Sequence, residues 1–216
     1  MSESRRSRDH VVNDDLISIL IPVFNEVESI DDCYREITDV MQRWQRPYEI
    51  ILVNDGSTDG TDAKIDKIVA ADSRVRAIHF RTNYGQTAAV TAAIDFSHGG
   101  ILIPIDADRQ NDPNDIPALV AKLDEGFEVV SGWRRLRKDR SLSRILPSRC
   151  ANWLISRVSG VRLHDYGCSL KAYRRDVIND VRLYGEMHRF IPIYAPRREI
   201  VETEARFHVS QSPMVG

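Results

Sequence analysis

The chain has 216 residues, of which 42% are hydrophobic and 29% charged, with 11 Gly and 9 Pro. These proportions fit one ordinary globular domain with a core of its own, and they exclude a wholly disordered chain, a collagen-like repeat and a coiled coil. The 30 basic and 32 acidic residues leave a net charge of -2, which argues against a dedicated nucleic-acid binder.

Residues 1–15, MSESRRSRDHVVNDD, are too polar for a signal peptide and read as a flexible N-terminal tail. Leu16 to Pro22 is a short apolar run ending at a proline, which predicts a buried strand. From Val27 to Trp44 the apolar residues Val27, Ile30, Cys33, Ile37, Val40, Met41 and Trp44 recur at helical spacing. Tyr48 to Val53 predicts a second buried strand, running into the turn signal Asp55-Gly56-Ser57-Thr58-Asp59-Gly60. A helix over Thr61–Ala71, a strand over Val75–Phe80 and a helix over Gln86–Phe96 follow. Then come a strand over Ile101–Ile105, a helix over Ile116–Leu123 and a strand over Phe127–Ser131. Beyond it the pattern is less regular, with helices expected over Arg149–Gly160 and Glu186–Ala195 and strands over Ser169–Tyr173 and Ile200–Phe207. No apolar run approaches the roughly 18 residues of a membrane span. The cysteines Cys33, Cys150 and Cys168 are odd in number and far apart, so they read as small buried side chains in a reducing, cytoplasmic protein.

Strands alternating with helices imply crossover connections and a mainly parallel sheet covered on both faces. In such sheets ligands bind beyond the carboxyl ends of the strands. Polar clusters stand at four of those ends: Asn25-Glu26, Asp55, Asn83 to Gln86, and Asp106 to Gln110.

Asp106-Ala107-Asp108 is the sharpest local signal. Alternate carboxylates at a strand end can share one hard divalent cation, Mg²⁺ or Mn²⁺, whose shell is completed by phosphate oxygens and water. Such a cation makes a diphosphate a better leaving group. The start of Asp55 to Asp66 mimics a calcium loop, but its twelfth position is Asp66 rather than Glu and a strand precedes it, so that reading is rejected. Walker A, G-x-G-x-x-G and G-x-S-x-G signatures are absent from the sequence. His164-Asp165 lacks a nucleophile in a recognisable context. Arg134 to Arg149 carries seven basic residues and one acid. This run suits a solvated face, an acidic membrane surface or, through the arginine fork, a phosphate.

Taken together, Pro22-Val23-Phe24-Asn25-Glu26, Val53 to Thr61, Asn83-Tyr84-Gly85-Gln86 and Asp106 to Pro113 occur in the order found in family 2 glycosyltransferases. The chain most resembles the polyprenyl-phosphate glycosyltransferases over about Ile17 to Ala195, with later matches at Ser131 to Arg134, Leu146 to Arg149, His164 to Tyr173 and Glu186 to Pro192. The resemblance implies an α/β, Rossmann-like GT-A fold with a mainly parallel mixed sheet flanked by helices. It implies a catalytic domain at 16–207, followed by a C-terminal tail at 208–216 that lacks the family's membrane helices. The chain is then either a truncated catalytic domain or a natural short form.

The activity implied is metal-dependent, inverting transfer of a sugar from a nucleotide-diphosphate donor, by resemblance a UDP-sugar in preference to GDP-mannose, to a polyprenyl phosphate. By the family pattern Pro22, Val23, Glu26 and Asp55 hold the nucleoside, and Gly85 and Gln86 line the donor pocket. Asp106, Asp108 and Gln110 hold Mg²⁺ or Mn²⁺ and the diphosphate. Arg134 and Arg149 meet the acceptor phosphate, and Asp165 lies at the reacting centre. Arg109 stands where relatives often carry Leu. The expected setting is peripheral, at the cytoplasmic face of a membrane, with no nucleic-acid partner and a homo-oligomer left open. Two alternatives stand beside it: a non-lipid acceptor, and a nucleotide-sugar-binding remnant without transfer.

Overall fold

The structure, a computed structural model, describes residues 12–134, 170–179 and 200–205. Strand β1 (Asn13–Val23) leads to helix α1 (Ile30–Trp44), strand β2 (Tyr48–Asn54) and helix α2 (Thr61–Ala71). Strand β3 (Val75–His79), helix α3 (Gln86–Phe96) and strand β4 (Gly99–Pro104) follow. A short 3₁₀ turn (Pro113–Asp115) opens helix α4 (Ile116–Asp124), and strand β5 (Val129–Arg134) comes next. Strand β6 (Lys171–Arg174), the short helix α5 (Arg175–Asn179) and strand β7 (Ile200–Ala205) complete the described elements.

The strands form one sheet in the order β3-β2-β1-β4-β6-β5-β7. All neighbours pair in parallel except at β6, which runs antiparallel to both β4 and β5. The expected α/β sheet is therefore present, mixed through a single reversed strand. Pairing in β1, β2 and β4 buries alternate residues on opposite faces. Ile17, Ile19, Ile21, Ile50 and Leu52 pack with Ile30, Ile37 and Met41 of α1, Ile65 of α2 and Leu119 of α4. Leu20, Ile51 and Val53 pack on the other face with Ala89, Val90 and Ala93 of α3 and Val177 of α5. Cys33 is buried among the first set, as its spacing predicts.

Several boundaries moved. Strand β1 begins at Asn13, inside the segment read as a tail. The Asn13 N–H donates to the His98 carbonyl at 3.0 Å. This polar stretch joins the sheet because Gly99 and Gly100 face it. A Cβ on Gly99 would lie 2.4 Å from the Leu16 carbonyl oxygen, and one on Gly100 2.6 Å from the Asp14 Cα. Helix α1 starts at Ile30 rather than Val27, because Asn25, Glu26 and Val27 are engaged by Ser57, Thr58, Asp59 and Thr61 after β2. Strand β5 is displaced towards the C-terminus to Val129–Arg134, where all six residues pair with β7. Helix α5 is not apparent from the periodicity; it is one short turn after β6. The helices expected over 149–160 and 186–195 lie outside the described residues, as do Cys150 and Cys168.

At the amino edge of the sheet a buried carboxylate is held by distant partners. Glu49 accepts from the Ser18 hydroxyl at 2.7 Å, the His98 N–H at 2.5 Å and the Arg76 guanidinium at 2.5 Å. Burial opposes its charge, but these bonds outweigh burial and hold its carboxyl below the usual range. Asp72, which ends α2, is a second hub. It accepts from the Arg74 guanidinium at 2.8 and 2.9 Å, from the Arg74 N–H at 2.9 Å and from the Tyr34 hydroxyl of α1 at 2.9 Å. The Arg74 bonds, opposed by burial, hold its carboxyl down at about 2. A depressed carboxylate stabilises the fold above its unfolded pKa, and that contribution is lost as pH falls through the folded value. Asp72→Asn should therefore destabilise by about 1–2 kcal/mol at pH 7. The gap to wild type should close between about pH 4 and pH 2. Urea denaturation at pH 7 and pH 2.5 checks it; an unchanged gap at pH 2.5 would refute the hub.

Candidate active site

The β1–β4 ladder ends at Leu20↔Pro104, and the last bond there is Ile105 N–H to the Leu20 carbonyl at 3.0 Å. Pro22 and Pro104 carry no N–H, so neither can extend a ladder by donation. The two strands diverge at this point, with β2 and β3 on one side of β1 and β4 on the other. A cleft of about 340 Å³ opens there, lined by Pro22, Val23, Phe24, Glu26, Asp55, Asn83, Gly85, Gln86, Asp106, Ala107 and Asp108. This is the switch point at which open α/β sheets bind ligands.

Each wall is set by a loop braced from elsewhere in the chain. Asp55 follows β2 and is 3% exposed. Its carboxylate accepts from the Tyr84 N–H at 2.7 Å and the Gly85 N–H at 2.9 Å, fixing the 83–85 loop over the cleft. Gly85 has a φ of 91°, which suits glycine, and caps the start of α3. From the first turn of α3, Gln86 donates through Nε2 to Asp106 Oδ1 at 2.7 Å. The loop after β1 interlocks with the loop after β2. The Asn25 N–H donates to Ser57 Oγ at 2.9 Å and the Thr58 N–H to Asn25 Oδ1 at 2.9 Å. The Glu26 N–H donates to Thr61 Oγ1 at 3.0 Å and the Val27 N–H to Asp59 Oδ2 at 3.1 Å. The Asp-Gly-Ser-Thr-Asp-Gly-Thr run is thus largely a brace, and Asp59 accepts from the Val27 and Thr61 N–H groups and from the Thr61 hydroxyl.

The cleft floor is acidic. Burial raises the Asp108 carboxyl, and the Asp106 charge adds to it, against a backbone bond from Gln110. Burial also raises the Glu26 carboxyl. Its bond from Ser29 opposes the rise, and Asp108, Asp59 and Asp106 reinforce it. Desolvated carboxylates that repel one another are a state that a cation relieves. Asp106 and Asp108 offer hard oxygen ligands, which suits Mg²⁺ or Mn²⁺. Among the described residues no group of three or more His, Cys, Asp or Glu makes a ready cage for a metal. A cation held here would draw the rest of its shell from phosphate and water.

The structure brings Pro22, Val23, Glu26, Asp55, Gly85, Gln86, Asp106 and Asp108 to one cleft. Gln110 is exposed and is not among the lining residues; its N–H turns back to Asp108 Oδ1 at 3.0 Å. Arg134 is the last residue of β5, in register with Ala205. Arg149, His164 and Asp165 lie outside the described residues. Phe24 and Asn83 line the cleft without having been singled out as site residues. Tyr84, 67% exposed, stands beside them with its ring edge-on to Phe80 at 5.6 Å. Their place in the aligned strand-end clusters is the signal that could have found them.

A sheet of this order, with its cleft at the β1/β4 divergence and an acidic D-x-D turn, defines a GT-A fold. Glucosyl-3-phosphoglycerate synthase of Mycobacterium tuberculosis, solved with Mn²⁺, uridine diphosphate and phosphoglyceric acid, superposes with a TM-score of 0.67 at 19% identity, over 90% of this chain and 71% of that one. The chain belongs to the family described as glycosyl transferase family 2, whose pattern matches residues 18–182. It is 42% identical over 201 residues to dodecaprenyl-phosphate galacturonate synthase of Rhizobium johnstonii, covering 90% of this chain and 60% of the relative. It is also 42% identical over 180 residues to undecaprenyl-phosphate 4-deoxy-4-formamido-L-arabinose transferase of Salmonella choleraesuis, covering 83% and 55%. The chain therefore spans a little over half the length of these relatives. Among its described residues no helix is long and apolar enough to cross a membrane.

Proposed function

We propose that the chain catalyses inverting transfer of a sugar from a nucleotide diphosphate, a uridine diphosphate by preference, to a polyprenyl phosphate at a membrane surface. The observation that carries this reading is the convergence of Glu26, Asp55, Asp106 and Asp108 on the cleft at the β1/β4 divergence. The relatives named above, whose acceptors are polyprenyl phosphates, support the acceptor class.

The residues divide the task by position. Pro22, Val23 and Asp55 form the wall that takes the nucleoside, and Gly85 and Gln86 close it from the β3 side. Asp106 and Asp108 hold a divalent cation, which when bound neutralises the leaving diphosphate. Gln86 fixes the rotamer of Asp106 through its 2.7 Å bond, so that this carboxylate is preset before the donor arrives. Gln110 contributes from the rim, first through its backbone bond to Asp108. An acceptor phosphate is anionic at neutral pH, so its oxygen can attack the anomeric carbon while the carbon–oxygen bond to the diphosphate breaks on the opposite face. Orientation rather than strong basicity is then what the protein supplies. Arg134 and Arg149 meet the acceptor phosphate, and Asp165 orients groups at the reacting centre.

Calorimetric titration with UDP and with GDP, each with and without Mn²⁺, tests the donor half. Mn²⁺-dependent binding of UDP is expected, followed by transfer from UDP-sugars to undecaprenyl phosphate. Preference for GDP would redirect the donor assignment, and transfer that proceeds equally well to a soluble acceptor would overturn the acceptor class. Donor binding without turnover on lipid phosphate would identify a binding remnant.

A further inference from the structure

Arg109 directly follows Asp108 of the acidic cleft, and its side chain goes the other way. Its φ is 61°, one of three positive values among non-glycine residues of the described chain. That left-handed step reverses the backbone between Asp108 and Gln110. It lets the Gln110 N–H donate to Asp108 Oδ1 at 3.0 Å and sends the guanidinium of Arg109 out of the cleft towards α1. There Nη1 meets Asp32 Oδ2 at 2.9 Å and Nε meets Glu36 Oε1 at 3.1 Å, with Nη2 also on Glu36.

Asp32 and Glu36 are four residues apart on one face of α1, so their carboxylates form a matched receptor for the planar fork. The helix that carries them is anchored by packing: Ile30, Cys33 and Ile37 are buried in the core on its other side. The chain leading into α1 carries Glu26, which lines the same cleft and feels the charges of Asp108 and Asp106. The contact is therefore a strut between the Asp106–Gln110 turn and the helix that follows the Glu26 loop.

We propose that Arg109 is a positioning residue, a strut to Asp32 and Glu36 that holds the Asp106–Gln110 turn in a left-handed conformation and so presets Asp108 for a divalent cation. This deepens the reading above and rests on it for the cation. Partly exposed ion pairs contribute little singly. Here one guanidinium engages two carboxylates on a helix packed into the core, and these bonds hold a backbone conformation that an arginine otherwise avoids.

The test compares wild type with Arg109→Ala, Arg109→Gly, Arg109→Lys and Glu36→Gln. Mn²⁺ binding in the presence of UDP is followed by the paramagnetic resonance of free Mn²⁺, and backbone hydrogen exchange is followed over residues 106–112. Arg109→Ala should weaken Mn²⁺ binding about five- to tenfold and speed exchange in this turn by a similar factor, with exchange elsewhere unchanged. Arg109→Gly relaxes the backbone conformation but removes the strut, and should behave like Arg109→Ala. Arg109→Lys keeps the charge without the fork and should recover part of the loss; Glu36→Gln should reproduce part of it. Wild-type affinity and exchange in Arg109→Ala would overturn the proposal. Weaker binding with unchanged exchange would overturn it as well, since the arginine would then act through charge alone. A wild type that binds no Mn²⁺ with UDP would overturn the functional reading instead, and exchange at 106–112 would still decide whether the strut holds the turn.

Discussion

Asp108→Asn is expected to reduce sugar transfer by about a thousandfold or more, because it removes one of two carboxylates available to the leaving-group cation. The same substitution should leave the fold intact or raise its thermal midpoint slightly. Burial and the neighbouring Asp106 disfavour the ionised form of Asp108. A neutral isostere relieves both effects, while the N–H of Gln110 keeps an oxygen acceptor. A single variant should thus lose function and keep or gain stability, a combination that a purely structural residue would not give. Transfer assays at saturating Mn²⁺ and parallel thermal denaturation check it. Near-wild-type turnover would remove Asp108 from the metal role, and a large loss of stability would reassign it to the fold.

Gly56→Ala should be the most destructive small substitution near the cleft. Gly56 has a φ of 72°, and a Cβ there would lie 2.5 Å from the Thr82 carbonyl carbon and 2.7 Å from the Asn83 nitrogen. Both are backbone atoms and cannot rotate away, so a strained conformation adds to a steric overlap. Together these should cost about 3 kcal/mol or more. The displaced segment leads directly into Tyr84 and Gly85, whose N–H groups are held by Asp55. Donor affinity should therefore fall together with stability. Gly60→Ala is the matched control, with a φ of 94° but nothing within 4 Å of its Cβ. It should cost only about 1 kcal/mol. Urea denaturation of both variants separates conformation from packing, and equal losses would show that the approach to Thr82 does not matter.

The regular elements were legible because they depend on local pattern. Helices α2 and α3 occupy the ranges that turn chemistry and apolar spacing predict, Thr61–Ala71 and Gln86–Phe96. The buried face of α1, with Ile30, Cys33, Ile37, Val40 and Met41, follows directly from the 3.6-residue period. Strand alternation implied a parallel sheet, and with it a cleft at the carboxyl edge between polar strand ends. The position of β1 was less accessible. Asn13 to Asp15 are polar and read as tail, and they join the sheet only because two glycines 86 residues further on leave room for the approach.

What the sequence by itself determined is the architecture and the residue types on the cleft. Both follow from periodicities and turn signals that act over a few positions. Only the tertiary structure decided how those residues are divided between chemistry and support. Asp55 and Asp59 are the same residue type in one short motif. The first lines the cleft while gripping backbone 29 and 30 residues away, and the second braces the loop after β1. Asp108 and Arg109 are adjacent, yet a left-handed backbone step sends one into the cleft and the other to helix α1, 73 and 77 residues back in the chain. Local sequence cannot specify such assignments, because each depends on a partner that only the folded sheet brings within hydrogen-bond reach.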